Sequence, residues 1–383
     1  MTTQLAWSEP LPSKELQAFF ADLDSCRDKN YLTHGLHPYP AKFIPHIPRA
    51  LLQGLAPPGG LVLDPMCGSG TTLVEGTLLG YPTIGTDLNP IAVLATKAKT
   101  LRLDQHVVAE IERFLIRLDD HSRLQTHGQV ASPFSFRNHD KWFAPWVAEE
   151  LSHILEQATV LSTKARLLAR ATLSAIIVTV SYQESETRWC AKPNPILPGE
   201  TIRRFSDRLR DAVEDSRLYS AISKAPSEAW RADTRSLPLP DSSVDTIITS
   251  PPYANSHDYY LYNKLRMFVL GYDVLPVQLA EIGSRHKHSD LKAPIGDYLG
   301  AMEEAFTEWR RVLVAGGRAA VVVGDAVIRG QFFDMGEELA SVAARVGFAP
   351  EQQLRFAHRQ FNTTFQRGFG TRHDKHTHVL IFR

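Results

Sequence analysis

Cysteine is scarce in this sequence, and the few cysteines present are far apart. Cys26, Cys67 and Cys190 are the only three in 383 residues, and none belongs to a Cys-x-x-Cys pair. This spacing argues against a disulfide framework and a cysteine zinc cluster, and it is typical of proteins from a reducing compartment. We therefore expect a cytoplasmic protein.

The chain also has no excess of charge and no long apolar run. Lys and Arg together number 42, as do Asp and Glu, so the formal net charge is zero. Any binding of nucleic acid must then rely on local basic patches. The most apolar stretch, residues 171–182, is too short to span a bilayer and predicts a buried helix. The N-terminus has no basic segment followed by an apolar core, so we expect neither a signal peptide nor a membrane partner.

Two stretches of the sequence alternate strands with helices. Residues 61–104 have the pattern of strand, glycine turn, helix, strand and helix. Residues 227–383 return to this alternation and end in two further strands. Such alternation predicts parallel strands joined by right-handed crossovers. Residues 105–226 show helical periodicity and no convincing strand, which predicts a mostly helical insertion.

These patterns predict an α/β fold of the Rossmann-like type. We expect a seven-stranded, mostly parallel sheet whose last strand is antiparallel, interrupted by the helical insertion. The expected division of the chain is an N-terminal extension (1–30), a cofactor-binding half (31–104), the insertion (105–226) and a second catalytic half (227–383).

A glycine turn follows the first predicted strand, in the segment DPMCGSGTT. Asp64 ends the strand, and Gly68 and Gly70 open the next helix, which allows positive φ and close approach of a ligand to the backbone. No lysine follows Gly70, so the segment is not a nucleotide-binding P-loop. Leu73 occupies the place of the third glycine of the dinucleotide fingerprint. A plain tight turn therefore remains an alternative.

Three more polar residues end predicted strands. Asp87 ends the second strand, where a carboxylate can accept hydrogen bonds from both hydroxyls of a ribose; capping the following helix is its alternative role. Asp233 and Ser250 end the third and fourth strands. Because the carboxyl ends of parallel strands lie along one edge, we expect these side chains and Asp64 to form one site.

Three motifs, in this order, resemble those of the DNA amino-methyltransferase family. The segment THGLHPYPAKFIPHIPRALL (33–52) resembles the part of these enzymes that packs over the methionine end of S-adenosylmethionine (AdoMet). DPMCGSGTT resembles their AdoMet motif DPFxGSGTT, with Met66 in place of phenylalanine, and TSPPY resembles their catalytic motif [DNS]PP[YFW]. The likeness covers the α/β part and not the insertion.

The resemblance implies the class I AdoMet-dependent methyltransferase fold, AdoMet as the cofactor and a defined set of site residues. The implied catalytic residues are Ser250, Pro251, Pro252 and Tyr253. The implied cofactor-binding residues are Lys42, Phe43, Asp64, Met66, Cys67, Gly68, Gly70, Thr71, Asp87, Leu88 and Asp233. We expect no metal.

Within this family, serine at the first motif position implies methylation of cytosine N4, and Asp or Asn implies adenine N6. Methylation at cytosine C5 is not expected, because no cysteine lies in the Pro-Cys context that it needs. The alternatives are an adenine N6 methyltransferase, an RNA or release-factor methyltransferase with the same fold, and a DNA-binding protein on a decayed enzyme fold. The implied partners are duplex DNA and a cognate restriction endonuclease, with the chain a monomer or a homodimer.

Basic segments supply candidate DNA contacts. Residues 181–208 mix basic and aromatic side chains with prolines, which predicts an irregular loop suited to reading bases. A connector between helices is the alternative. Residues 359–378 are basic and rich in histidine, and a zinc site at His373, His376 and His378 is an alternative use of them. The candidate DNA-binding residues are Arg188, Trp189, Lys192, Arg203, Arg204, Arg367 and Arg372.

Overall fold

The computed structural model describes residues 29–124, 134, 136, 138–255, 257–357 and 376–383. The strands are β1 (Val62–Asp64), β2 (Thr83–Asp87), β3 (Gln183–Ser185), β4 (Arg188–Ala191), β5 (Ser227–Arg231), β6 (Val244–Thr249), β7 (Leu313–Gly324), β8 (Ala326–Ile328), β9 (Gln331–Phe333), β10 (Pro350–Ala357) and β11 (His376–Phe382).

The α-helices alternate with these strands along much of the chain. They are α1 (His46–Leu55), α2 (Thr71–Leu79), α3 (Pro90–Lys99), α4 (Gln105–Leu124), α5 (Pro145–Gln157), α6 (Thr163–Ile176), α7 (Glu200–Ile222), α8 (Tyr259–Tyr262), α9 (Lys264–Val269), α10 (Leu275–Ala280), α11 (Ile295–Val312) and α12 (Met335–Arg345). Of the helices described, none combines the length and the apolar composition that a membrane span requires.

Seven strands form the central sheet, in the order β10-β11-β7-β6-β1-β2-β5. All neighbours pair in parallel except β11, which is antiparallel to β7 and to β10. The predicted Rossmann-like fold with an antiparallel last strand is therefore confirmed. The order of strands reverses between β1 and β6, and ligands of such sheets bind in the crevice outside the carboxyl ends at this point.

The region between β2 and β5 contains α4 to α7 and also a short hairpin. The insertion is mostly helical, as expected for 105–226, but it also contains β3 and β4, which pair antiparallel. Strands of three and four residues are too short to show a period-two pattern, which is why the sequence did not reveal them. The apolar stretch 171–182 is likewise not one helix, since α6 ends at Ile176 and the chain then turns into β3.

The inserted helices share a hydrophobic core with the catalytic part. Buried side chains of α4, α5, α6 and α7 form one cluster with side chains of α3 and of α8 to α10; Phe114, Leu168, Phe205, Leu94 and Leu265 are examples. The insertion is thus packed directly against the elements that flank the crevice.

A buried carboxylate joins the segment before β1 to the helix after it. Glu75 on α2 is fully buried and accepts hydrogen bonds from Tyr31, from His34 Nε2 (2.7 Å) and from Arg49 (2.8 Å). Burial alone would raise the pKa of Glu75, but these hydrogen bonds hold it below its usual value. The contact fixes residues 31–55 against α2.

We expect Glu75→Leu to lower the free energy of unfolding by about 3–5 kcal/mol. The reason is that Tyr31, His34 and Arg49 lose the carboxylate that accepts their hydrogen bonds. Urea unfolding followed by circular dichroism measures this. Glu112→Leu on the exposed face of α4 is the matched control and should change stability little. Equal losses in the two variants would contradict the role given to Glu75.

Candidate functional site

A cavity opens at the carboxyl edge of the sheet, where β1 and β6 lie side by side. It encloses about 910 Å³, including solvent at its mouth. Twelve of the fifteen residues implied for cofactor binding and catalysis line it: Lys42, Phe43, Asp64, Met66, Cys67, Gly68, Thr71, Asp87, Leu88, Asp233, Ser250 and Pro252. The structure therefore brings together the strand ends that the sequence placed along one edge.

The glycine turn forms the floor of this cavity. Gly68 and Gly70 have φ angles of 50° and 79°, which favour glycine. A Cβ on Gly70 would lie 2.7 Å from the Thr96 side chain on α3. Gly70 does not line the cavity; its role is to let α2 begin tightly against α3.

Asp87 holds the glycine turn through its side chain. Its two carboxylate oxygens accept hydrogen bonds from the backbone amides of Gly68 (2.9 Å) and Asn89 (2.8 Å). Burial raises the pKa of Asp87 to about 6, although these two amides oppose the rise. The cap of α3 is Asn89, which accepts from the Ile91 amide, so the side chain of Asp87 is available to the cavity.

Asp64 lies at the end of β1, on the opposite side of the glycine turn. Its carboxylate is buried and accepts a hydrogen bond from the Met66 amide at 3.3 Å. Burial raises its pKa to about 6, although the hydrogen bond from the Met66 amide opposes the rise. Within the described part of the chain Asp64 forms no ion pair, and a buried carboxylate of this kind is suited to a ligand that carries positive charge.

The segment before β1 supplies one wall. Lys42 donates to the main-chain carbonyl of His34 (3.0 Å) and to Asn30 (2.7 Å), which fixes this segment across the cavity. Tyr39 stacks on Tyr259 of α8, with ring centroids 6.0 Å apart and planes at 16°. Phe43 lies on the same wall.

Asp233 lines the wall beyond β5 but is already paired. Arg235 donates to both of its carboxylate oxygens, at 2.9 and 2.6 Å. Burial acts to raise the pKa of Asp233, and these bonds outweigh it and hold the pKa below its usual value. The same guanidinium reaches the main-chain carbonyl of Ala280 at 3.3 Å, so the pair anchors the end of α10.

The SPPY segment follows β6 and reaches the cavity through Ser250 and Pro252. The Ser250 hydroxyl donates to the main-chain carbonyl of Val322 on β7 (3.0 Å). Tyr298 donates to the Pro252 carbonyl (3.1 Å). Among the residues that the structure describes, no donor reaches the Pro251 carbonyl.

Tyr253 is half-buried beside the cavity, and its ring lies on Gly324 at the end of β7. A Cβ on that glycine would come within 2.7 Å of the ring, so only glycine lets the ring pack there. Burial raises the pKa of the Tyr253 phenol, and a hydrogen bond with Ser250 partly offsets the rise.

The candidate DNA-binding residues do not lie in this cavity. Arg188, Trp189 and Lys192 are on or next to the β3–β4 hairpin; Arg188 is exposed and close to Glu184, and Trp189 packs on Trp142 at 4.1 Å. An irregular loop was expected at 181–208, but this region is the hairpin, a connection and the start of α7.

Arg203 and Arg204 lie in the first turns of α7, where both form ion pairs. Arg204 pairs with Glu200 at 2.6 Å, and Arg203 pairs with Asp207 at 3.1 Å. Arg367 and Arg372 lie outside the described residues. The DNA-binding role of all seven residues stays a prediction.

Two of the three histidines considered for zinc lie on β11. His378 is buried and uses both ring nitrogens, Nε2 toward Asp325 (2.8 Å) and Nδ1 toward Gln353 (3.1 Å). Asp325, Asp334 and His378 each place one atom that could bind a metal ion within 4.8 Å of the other two. These hydrogen bonds make the cluster a support for the end of β7. His373 lies outside the described residues.

The cavity residues that the sequence analysis did not single out include Tyr39, Tyr259 and Glu281. Glu281 follows α10, and burial raises the pKa of its carboxyl to about 8. A glutamate in the segment LAEIGS has neither a glycine turn nor a predicted strand beside it. The two tyrosines could have been suspected from their positions, since Tyr39 lies within the 33–52 segment and Tyr259 lies shortly after TSPPY.

Comparison with known proteins identifies the same two regions. The profile of a DNA methylase family that covers N6 and N4 methylation matches residues 6–98 and 244–375, together more than half of the chain. The unmatched stretch between them contains the insertion.

Curated relatives are type II methyltransferases. M.MjaII of Methanocaldococcus jannaschii is 22% identical over 83% of this chain and 77% of its own length. M.MvaI of Kocuria varians is 25% identical over 61% of this chain, which spans only 56% of that relative.

Solved structures of similar proteins include a TehB-like SAM-dependent methyltransferase from Corynebacterium glutamicum. It is 13% identical over 88% of this chain and 85% of its own, with a TM-score of 0.32. A SAM-dependent methyltransferase from Methanosarcina mazei is 10% identical over 90% and 97% of the two chains, with a TM-score of 0.33.

The cavity fits a nucleoside ligand that also carries positive charge. It combines the buried carboxylates of Asp64 and Asp87 with the apolar side chains of Leu88, Val277 and Ile282. The hydroxyl of Ser69, another lining residue, is buried and has no hydrogen-bond partner among the described residues. These groups match the needs of a ribose, a purine and a cationic amino acid, which AdoMet combines.

We expect Asp87→Ala to weaken AdoMet binding by about 1.5–3 kcal/mol, the scale of hydrogen bonds to a charged acceptor. Isothermal titration calorimetry measures the affinity. Asp297→Ala, at an exposed position in the first turn of α11, is the control and should bind as the unaltered chain does. Unchanged affinity in Asp87→Ala would remove this carboxylate from the site.

Proposed function

We propose that this chain, which belongs to the N6/N4 DNA methylase family, methylates the exocyclic N4 of cytosine in duplex DNA. Family membership makes it a DNA methyltransferase with AdoMet as its cofactor. The assignment of cytosine rests on serine at position 250, since a carboxylate or amide in that place is the adenine-type residue. The observation that carries the proposal is that Ser250 and Pro252 open into the same cavity as Asp64 and Asp87.

The cofactor, when bound, supplies an electrophilic methyl group on a sulfonium. In our proposal Asp87 accepts hydrogen bonds from the ribose, and Asp64 with the glycine turn binds the cationic amino-acid end. Leu88 contacts the purine. The wall of Tyr39, Lys42 and Phe43 excludes water from this side of the cavity, which strengthens the electrostatic interactions inside.

The target nitrogen needs activation, because its lone pair is delocalised into the pyrimidine ring. Two acceptors aimed at its protons favour a pyramidal nitrogen with a localised lone pair. We assign this role to the Ser250 hydroxyl and the Pro251 carbonyl. The Ser250 proton is directed to Val322, so the oxygen keeps lone pairs for the amino group. The Pro251 carbonyl has no donor among the described residues and is fixed by two consecutive prolines.

Base extrusion follows from the depth of the site. A nitrogen inside a duplex cannot reach a cavity at the sheet edge, so the nucleotide must be flipped out of the stack. In our proposal Tyr253 provides a flat face for the flipped ring, and the close packing of its ring against Gly324 holds the tyrosine in place. Catalysis in this scheme is positioning and electrostatic stabilisation, without a covalent enzyme intermediate.

We propose that the insertion carries the target-recognition surface. Its β3–β4 hairpin offers exposed positive charge at Arg188 and Lys192. The Trp189 ring is held by Trp142 and by Lys264, whose ammonium lies 5.2 Å from the ring centroid. Contacts between Arg188 or Lys192 and DNA phosphates would position the duplex over the edge of the sheet that carries the SPPY segment. Partnership with a restriction endonuclease belongs to the same proposal.

Methylated DNA digested to nucleosides should yield N4-methylcytosine by mass spectrometry. The enzyme is incubated with AdoMet and unmethylated bacterial DNA, and tRNA serves as the parallel substrate. N6-methyladenine as the sole product would show that serine at position 250 does not set the base. Methylation of tRNA but not of DNA would contradict the substrate class.

Ser250→Ala should lower kcat by about 10²-fold or more while DNA affinity changes little, because the lost acceptor matters most as the nitrogen becomes pyramidal. Steady-state kinetics and DNA titration separate the two effects. The double variant Arg188→Ala, Lys192→Ala is the contrast: its DNA affinity and salt dependence should fall while kcat at saturating DNA is kept. A Ser250→Ala enzyme with unaltered kcat would reject this mechanism.

A further inference from the structure

Glu281 is a buried carboxyl in the cofactor cavity that the mechanism above does not use. Its side chain is 7% exposed and lines the cavity between Ala280 and Ile282. The Tyr260 amide donates to the side chain at 3.3 and 3.5 Å from the two carboxyl oxygens. Both distances are long, so hydrogen-bonding capacity remains.

The main chain around Glu281 is fixed by cations, whereas no cation among the described residues forms an ion pair with its side chain. Lys287 donates to the Leu279 carbonyl (3.0 Å) and to the Glu281 carbonyl (2.7 Å). Arg235 donates to the Ala280 carbonyl. These contacts hold the end of α10 in place and thereby fix where the carboxyl of Glu281 enters the cavity.

The groups around the Glu281 side chain favour its neutral form. Burial is the largest cause of its raised pKa of about 8, and the charges of Asp258 and Asp87 act in the same direction, against the amides of Tyr259 and Tyr260. Several titratable groups on the surrounding elements interact electrostatically with the Glu281 carboxyl: Tyr39, Asp87, Asp258, Tyr259, Tyr260, Tyr262 and Lys287.

Two carboxyls in one cavity can take different protonation states and then different hydrogen-bonding roles. Asp87 is the more acidic of the two and, when ionised, can only accept hydrogen bonds. A neutral Glu281 can also donate one. A ribose presents two adjacent hydroxyls, each of which can donate or accept, and so it matches this pair.

We propose that Glu281 is a second ribose-binding group of the cofactor site, which donates a hydrogen bond to a ribose hydroxyl while Asp87 accepts one. The inference rests on the AdoMet cofactor and is independent of which base is methylated. Cofactor binding then requires Asp87 ionised and Glu281 protonated. The affinity is highest between about pH 6 and pH 8 and falls on either side.

The test is calorimetric titration of S-adenosylhomocysteine, without DNA, between pH 6 and 9.5 for the unaltered chain, Glu281→Gln and Glu281→Leu. At pH 7 we expect Glu281→Leu to bind about tenfold more weakly, whereas Glu281→Gln, whose amide still donates, stays within about threefold. From pH 8 to 9 the unaltered chain should lose about fivefold in affinity relative to Glu281→Gln, because the protonated fraction of a carboxyl with a pKa of about 8 falls by that factor. The ammonium group of the ligand also titrates in this pH range, but it affects both proteins equally, so its effect cancels in the ratio of the two affinities.

Ribose analogues identify the ligand atom. The 2′-deoxy and 3′-deoxy forms of S-adenosylhomocysteine should reveal one hydroxyl whose loss weakens binding to the unaltered chain but not to Glu281→Leu. An affinity ratio between the unaltered chain and Glu281→Gln that does not change with pH overturns the proposal. So does Glu281→Leu with unaltered cofactor affinity and reduced kcat on DNA, because the carboxyl would then face the target base. Circular dichroism melting verifies that each variant is folded, and Glu281→Gln alone suffices for the pH comparison.

Discussion

The site depends on one buried carboxylate that is not part of it. Glu75 holds Tyr31, His34 and Arg49, and so it fixes the segment before β1 against α2. That segment carries Tyr39, Lys42 and Phe43 as a wall of the cavity. Because α2 begins at the glycine turn, the same carboxylate couples the wall to the floor. Hydrogen bonds to a buried charge are stronger than those between neutral groups, which suits a contact that must hold a long segment in place.

Pairing between β6 and β7 determines the geometry of the catalytic segment in a similar way. Thr249 is paired with Val321, so the next residue on each strand brings Ser250 opposite Val322 and allows their hydrogen bond. Two residues further along β7, Gly324 supports the ring of Tyr253. A slip of one residue in this register would direct the Ser250 hydroxyl away from its carbonyl and place a side chain under the tyrosine. The acceptor and the stacking face are therefore set by one strand pair.

The sequence predicted those parts of the site that lie at strand ends, because a period of apolar residues followed by Asp64, Asp87 or Ser250 is a local signal. It predicted the parallel sheet for the same reason. The contacts of Glu75 with Tyr31 and His34 join residues 41 to 44 positions apart, and no local pattern announces such a contact. Glu281 was missed because its place in the cavity comes from Arg235 and Lys287 acting on the main chain of a short helix. The β3–β4 hairpin was missed because its strands are too short for periodicity.

The acidic groups of the cavity have a thermodynamic consequence for the whole chain. Burial raises the pKa values of Asp64, Asp87 and Glu281 above those of the unfolded chain. A carboxyl of this kind binds its proton more tightly when folded, so its contribution favours the folded state at low pH and is lost as pH rises through the folded pKa. For Asp64 and Asp87 the loss is complete at neutral pH, where both are ionised and buried. The site therefore opposes folding under the conditions in which it works, and a cationic ligand that binds the ionised carboxylates stabilises the fold by the same linkage. The fold tolerates the free-energy cost of these buried, ionised carboxylates because other contacts hold the sheet edge. Glu75 holds it on one side, and the pairing of β6 with β7 holds it on the other.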